Sequence, residues 1–152
     1  MRTFASLDEL AAAVGQTLGP GDWFPVEQGR VNGFAEATDD RQWIHVDPER
    51  AAAGPFGGTV AHGYLTLSLL PVLVGRLYRV AGVRMAINYG LNRVRFPAPL
   101  RVGASVRGTL VIASVTPVDG GVQLVGAVTV GSDAGGKPVC VAETVSRLYA
   151  EG

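Results

Sequence analysis

The stretch from residue 64 to 80, YLTLSLLPVLVGRLYRV, constrains the fold more than any other part of the chain. From Gly63 onward it is apolar on nearly every side, with Thr66 and Ser68 as its uncharged polar breaks apart from the tyrosines. A helix of that kind belongs in the middle of a protein, covered on most sides. Pro71, Arg76 and Arg79 interrupt it, so it falls short of the roughly 20 clean apolar residues of a membrane span. Pro71 removes one backbone hydrogen bond and is expected to bend the helix.

What covers such a helix is written in the second half of the chain, where the apolar period changes to two. RMAINYGLNRVRF, RVGASVRGTLVIASVTPV, GVQLVGAVTVGS and KPVCVAETVSRLYA read as long strands. VDGG at 118 to 121 and SDAGGK at 132 to 137 read as hairpin turns. In the second strand Val102, Ala104, Val106, Gly108, Leu110 and Ile112 share one face, with Arg107 and Thr109 opposite. Ahead of the apolar run, SLDELAAAVGQ reads as a helix with Ser6 as cap, Glu9 three residues on and Gly15 as stop. DWFPVEQG reads as a short first strand, and RVNGFAEATDD as a second helix. VDPERAAAG starts a third, with Asp47 as N-cap, Pro48 in the first turn and Gly54 as stop. Helices, then one buried helix, then four antiparallel strands make an α+β plan: a single hotdog fold over residues 1–152, with a curved sheet wrapped around a central apolar helix. A lone sheet of this kind has edges to cover, which makes a homodimer physically sensible.

Charge and cysteine usage narrow the function. The formal net charge is zero, but residues 1 to 50 carry nine acids against four bases. Residues 76 to 107 carry seven arginines and no acid, which reads either as a solvated strand face or as a surface for an anionic ligand. Nucleic acid is not the expected ligand, since no motif that reads RNA or DNA is present. Cys140, the one cysteine, lies in the apolar run PVCVAE and reads as a buried inert thiol. The N-terminal MRTFASLDEL lacks an apolar signal core, so a cytoplasmic protein with no membrane partner is expected.

The chemistry concentrates in TDDRQWIHVDP, residues 38 to 48. Asp40 and His45 stand five apart across a turn, so both side chains can meet on one water molecule, position it and take its proton. A polar loop without function is the competing reading. Asp47 is a helix cap, and Asp39 a solvated neighbour or the end of the preceding helix. His62 stands at the head of the buried helix and reads as a residue that bonds nearby backbone. Beside it, Gly63 leaves an unhindered N–H among the helix-start donors, a geometry that can hold the oxygen of a polarised carbonyl. No metal is expected: a set from Asp39, His45 and His62 has no HxxxH or HxH spacing and no cysteine nearby.

The pattern Asp40-x-Gln42-Trp43-Ile44-His45, then DPERAAAGPFGGTVAHGYLTLSLLP and later YGLNRVRFPAPL, resembles the MaoC-like family of (R)-specific enoyl-CoA hydratases. The family signature runs D-x-N-P-apolar-H, with A-H-G at the head of the hotdog helix, and the likeness covers nearly the whole chain. It is strongest to single-domain mycobacterial hydratases of the family, which share QWIHVDPERAAAGPFG. This chain departs at Gln42 and Trp43, where the family has Asn and Pro, and at Asp39, where it has Gly. The resemblance implies hydration of a trans-2-enoyl thioester to an (R)-3-hydroxyacyl-CoA, reversible as dehydration. It implies Asp40 and His45 as the catalytic pair and Gly63 as the oxyanion donor. Substrate contacts are then expected from Gln42, Trp43 and His62, from Arg93 or Arg95 toward the phosphates of coenzyme A, and from Asn88 and Asn92, on one face of the same strand, toward ligand or partner subunit. No cofactor is implied, since the CoA thioester, or a thioester on acyl carrier protein, is itself the substrate. A hotdog thioesterase and a non-catalytic acyl-thioester binding module are the alternatives.

Overall fold

A computed structural model describes residues 1–150. The elements in chain order are β1 (Arg2–Phe4), α1 (Leu7–Ala12), β2 (Thr17–Leu18), β3 (Phe24–Pro25), α2 (Gln28–Thr38), α3 (Trp43–Val46), α4 (Pro48–Ala52), α5 (Gly63–Ser68), α6 (Leu70–Gly75), β4 (Tyr78–Val80), β5 (Val83–Arg95), β6 (Ser105–Val118), β7 (Gly121–Ser132) and β8 (Cys140–Ala150). The caps form as their residue types dictate. Ser6 Oγ accepts the Glu9 N–H, the Glu9 carboxylate accepts the Ala5 N–H, and Asp47 accepts the Arg50 N–H at the start of α4. The strand read at DWFPVEQG is only Phe24–Pro25, and it is third in chain order.

The main sheet is antiparallel, in the order β2-β6-β7-β8-β5, with β3 also paired to β6. Its inner face carries Val106, Leu110 and Ile112 of β6, Leu124, Val128 and Val130 of β7, and Cys140, Ala142 and Leu148 of β8, all buried. These meet Leu65, Leu69, Leu70, Leu73 and Leu77 of the helical segment in one core. At Gly108 a methyl group would sit 3.3 Å from Leu73 Cβ, so the glycine lets helix and sheet approach closely. The result is the hotdog arrangement of an α+β chain, with the helical segment against one sheet face.

One expectation for the central helix needs correction. It is not one helix to Val80: it divides at Leu69, and α6 carries Pro71 in its first turn, where a missing N–H costs least. After Gly75 the chain leaves as β4, parallel to β1 through Arg2↔Tyr78 and Phe4↔Val80. One side of it stays open. Tyr64 is 72% exposed, and Pro71 and Val72 are open as well. That open side borders a cavity of about 650 Å³ between α5–α6 and strands β5 and β8, lined by Leu67, Leu70, Val74, Ala86, Asn88 and Leu148 among others. β5 is an edge strand, paired among the described residues only to β8, and it exposes Met85, Ile87, Tyr89 and Leu91. No helix among the described residues is long and apolar enough to cross a membrane.

Candidate active site

Asp40, His45 and His62 come together from three separate segments. α2 ends at Asp39, which adopts a left-handed conformation (φ 60°) and turns the chain so that Asp40 faces the head of α5. Aspartate tolerates that conformation better than most residues with a Cβ. Arg41 secures the turn through ion pairs to Glu36 at 3.0 Å and to Asp39. Both sites are exposed, so we assign the pairing only a local ordering role; the guanidinium beside Glu36 holds its carboxyl below the usual range. Thus Asp39 serves as a helix terminator, and it takes no part in the cluster.

His45 rides on α3, a four-residue turn that apolar periodicity does not reveal. Its ring is buried, and Nδ1 lies 2.6 Å from the Val60 carbonyl. A carbonyl only accepts, so Nδ1 carries a proton, and in the neutral imidazole Nε2 keeps its lone pair. His62, the N-cap residue of α5, is fixed by the same logic. Its Nε2 lies 2.9 Å from the Asp40 carbonyl and therefore donates to it. The two imidazoles stack with centroids 3.8 Å apart, and Phe34 packs on the far partner at 4.9 Å from the His62 ring. His62 Nε2 is 4.0 Å from Asp40 Oδ2, and the carboxylate is half exposed.

Asp40, His45 and His62 each offer a ligand-type atom, all within 4.8 Å of one another. The set differs from the Asp39, His45 and His62 combination considered from sequence, because Asp39 points to Arg41. Two of the four imidazole nitrogens already donate to carbonyls, and His62 Nδ1 is buried without a partner. With His45 Nδ1 committed to Val60, the groups left with free electron pairs outside the buried His62 Nδ1 are the half-exposed Asp40 carboxylate and Nε2 of neutral His45. That pair can orient a water molecule and accept its proton.

Gly63 opens α5 immediately after His62. A methyl group on it would meet the Phe96 ring at 2.9 Å, so the glycine is required by the close approach of Phe96. Trp43 packs with Gly54 against its ring and Arg50 over it at 4.4 Å. It braces the loop that carries His45. Gln42 is exposed and precedes α3 as its N-cap residue, with its carbonyl accepting the His45 N–H at 3.0 Å.

The β5 residues stand apart from this cluster. Asn88 and Asn92 do not share a face as strict alternation would have it. Register shifts at Asn88/Gly90 and Leu91/Arg93 intervene, so Asn88 lines the 650 Å³ cavity while Asn92 donates to Glu143 at 2.7 Å. Arg95 donates to the Val94 carbonyl, and Arg93 is exposed. The remaining arginines of the basic segment are largely occupied: Arg76 and Arg107 lie over Phe24 and Trp23, Arg79 and Arg84 bond to Thr3 and Ala150, and Arg101 holds the carbonyls of Phe56 and Gly57. Cys140 is buried, and burial pushes its thiol up to about 11, consistent with an inert core residue.

Against known proteins, residues 9–135 match the family model described as the MaoC like domain. A 3-hydroxyacyl-thioester dehydratase Z of Mycobacterium tuberculosis is 55% identical over 151 residues, covering 99% of this chain and all of that one. The chain belongs to the MaoC-like domain family. Solved structures agree on the fold of this MaoC-like chain. An unliganded R-hydratase PhaJ1 from Pseudomonas aeruginosa superposes with a TM-score of 0.74 at 24% identity, over 97% of this chain and 88% of that one. An (R)-hydratase from A. caviae, described as involved in PHA biosynthesis, gives 0.68 at 25% identity over 89% and 96%.

The residues that sequence reasoning missed are those acting through the backbone or by packing. The Val60 carbonyl that fixes the His45 tautomer has no side-chain signature, and Phe96, which demands Gly63, lies outside every polar motif. The sequence alone points to His62 as a residue bonding nearby backbone and, by resemblance, as a substrate contact. The structure gives it the backbone bond and a stack against His45.

Proposed function

We propose that this MaoC-like hydro-lyase adds water across the C2–C3 bond of a trans-2-enoyl thioester to give an (R)-3-hydroxyacyl thioester, and runs the reverse dehydration. The observation that carries the reading is the pairing of the Asp40 carboxylate with a His45 ring whose Nδ1–H is committed to Val60, leaving Nε2 as a proton acceptor. The names of its relatives point the same way, toward a 3-hydroxyacyl-thioester dehydratase and a 3-hydroxybutyryl-CoA dehydratase.

In this reading the thioester carbonyl sits on the Gly63 N–H, which polarises it and makes C3 electrophilic. Asp40 and His45 hold the water. Its oxygen bonds C3 while one O–H bond breaks, negative charge collects on the thioester oxygen, and the proton passes through the pair to C2. No metal and no cofactor enters: binding an ion to all three side chains through the His62 Nε2 would break the bond to the Asp40 carbonyl. His62 instead fixes the backbone beneath the carboxylate.

The acyl chain has a candidate path. α5 begins at the cluster and ends at Leu67 and Ser68 on the cavity, a rise of roughly 8 Å along a helix. Among the described residues Arg93 is the arginine of the basic segment without a hydrogen bond, ion pair or aromatic partner, and we assign it to the phosphates of coenzyme A. The unpaired β5 edge, with Met85, Ile87, Tyr89 and Leu91 exposed, supports a homodimer that covers both edge and cavity. CoA thioesters as substrates suit a cytoplasmic enzyme.

The test is product analysis on crotonyl-CoA. The reading requires 3-hydroxybutyryl-CoA of R configuration; release of free CoA thiol without a hydroxyacyl product would assign a thioesterase instead.

A further inference from the structure

One half-buried amide joins all three segments of the site, and the reaction outlined above makes no use of it. Gln28, the first residue of α2, directs its side chain inward. Its Oε1 lies 2.6 Å from the Thr59 hydroxyl, and its Nε2 lies 2.7 Å from the His45 carbonyl and 3.0 Å from Asn32 Oδ1. The orientation of the amide follows from its partners. The His45 carbonyl only accepts, so the amide NH₂ faces it, and the Thr59 hydroxyl must donate to Oε1. Both amide hydrogens and the oxygen are used, and Thr59 is buried.

Thr59 directly precedes Val60, whose carbonyl fixes the His45 tautomer. The Val60 N–H in turn donates to the Ile44 carbonyl at 3.0 Å. Residues 44–45 and 59–60 therefore form a small paired patch, closed on one side by main chain and on the other by Gln28. Moving Thr59 relative to the His45 backbone moves the Val60 oxygen relative to His45 Nδ1. Gln28 also belongs to the helix that ends at Asp39–Asp40, so one amide references the carboxylate segment to the imidazole segment.

We propose that Gln28, with Thr59, is a positioning residue for the reaction: the Thr59–Gln28–His45 relay holds the Val60 carbonyl against His45 Nδ1, selects the Nδ1–H tautomer and aims Nε2 at the substrate water. The inference rests on His45 as the proton acceptor of the proposed hydration. Removing the relay loosens the ring without removing any group that touches substrate. Misplacement of this kind lowers the rate of the chemical step more than it changes binding.

The experiment combines kinetics with ¹⁵N-histidine NMR on Gln28→Leu, Thr59→Val and Thr59→Ser. Thr59→Val keeps the shape of threonine and serves as the decisive variant if Gln28→Leu folds poorly. Wild type is expected to show one His45 tautomer, with the proton on Nδ1. Gln28→Leu and Thr59→Val are expected to show a mixture of tautomers and a kcat lowered about tenfold with KM within twofold, whereas Thr59→Ser restores both. A single Nδ1–H tautomer and wild-type kcat in folded Thr59→Val overturn the inference. Should the wild type hydrate no enoyl thioester, the functional reading falls, and the tautomer signal alone still decides what Gln28 does.

Discussion

The two halves of the molecule are held together by different means. β6, β7 and β8 are tied by long antiparallel ladders, from Val106↔Ser132 to Val118↔Gly121 and from Gly121↔Tyr149 to Val130↔Cys140. No single bond there is decisive, because each is backed by neighbours and by a continuous apolar face. The segments from α2 to the head of α5 are short, and each is located by one or two bonds to a carbonyl: His45 to Val60, His62 to Asp40, Gln28 to His45. The sheet supplies stability by repetition, while the site supplies geometry by individually placed polar contacts. The first region should therefore tolerate loss of function-neutral groups at a cost in stability, and the second should lose function at little cost in stability.

Substitutions can break that division. Asp40→Asn and His45→Gln should each lower hydration by about 10²–10⁴-fold, the usual worth of a general base, with melting temperatures close to wild type. Steady-state rates beside thermal melts check both halves of the statement, and activity near wild type in either variant would remove the assigned roles. Gly63→Ala should cut kcat sharply as well. Its methyl group displaces Phe96 from 2.9 Å and disturbs the N–H that receives the carbonyl; a crystal structure with Phe96 unmoved and full turnover would contradict this.

On the sheet side the signs reverse. Leu110 is 1% exposed in the core, so Leu110→Ala should cost about 2–5 kcal/mol of stability, measured by urea unfolding. Its kcat per folded molecule should stay within twofold. A loss of kcat comparable to that of Asp40→Asn would show that the two regions are not separable. The smallest effect is expected at Arg93. Arg93→Ala should raise KM for CoA thioesters about fivefold, equivalent to roughly 1 kcal/mol for an exposed charge contact. KM for a truncated thioester without phosphates should not change, and an equal rise for both substrates would place Arg93 elsewhere than on the CoA phosphates.

The same contrast explains what could be read from the chain. The four long strands, the Ser6 and Asp47 caps and the apolar helical segment were legible because each repeats a pattern or uses a residue type with one local job. Asp40, His45 and Gly63 were legible as a motif, and the structure brings Asp40, His45 and His62 within 4.8 Å of one another, with Gly63 directly after His62. α3 was not legible, since four residues make too short a turn for a period. The β1–β4 pair joins Arg2 to Tyr78 across most of the N-terminal half, and nothing local announces it. Asn88 and Asn92 parted because bulges reset the alternation on which their pairing depended. Gln28 stayed hidden for a different reason: its partners are a carbonyl and a hydroxyl from distant segments.

The central claim is that Asp40 and His45 act together on a water molecule at C3 of an enoyl thioester. Running crotonyl-CoA with wild type and Asp40→Asn in D₂O, and reading the products by NMR, tests it most directly. The account predicts (R)-3-hydroxybutyryl-CoA with one solvent deuteron at C2 from wild type, and almost none of it from Asp40→Asn. Free CoA thiol in place of the hydroxyacyl product, or equal product from both proteins, would contradict it.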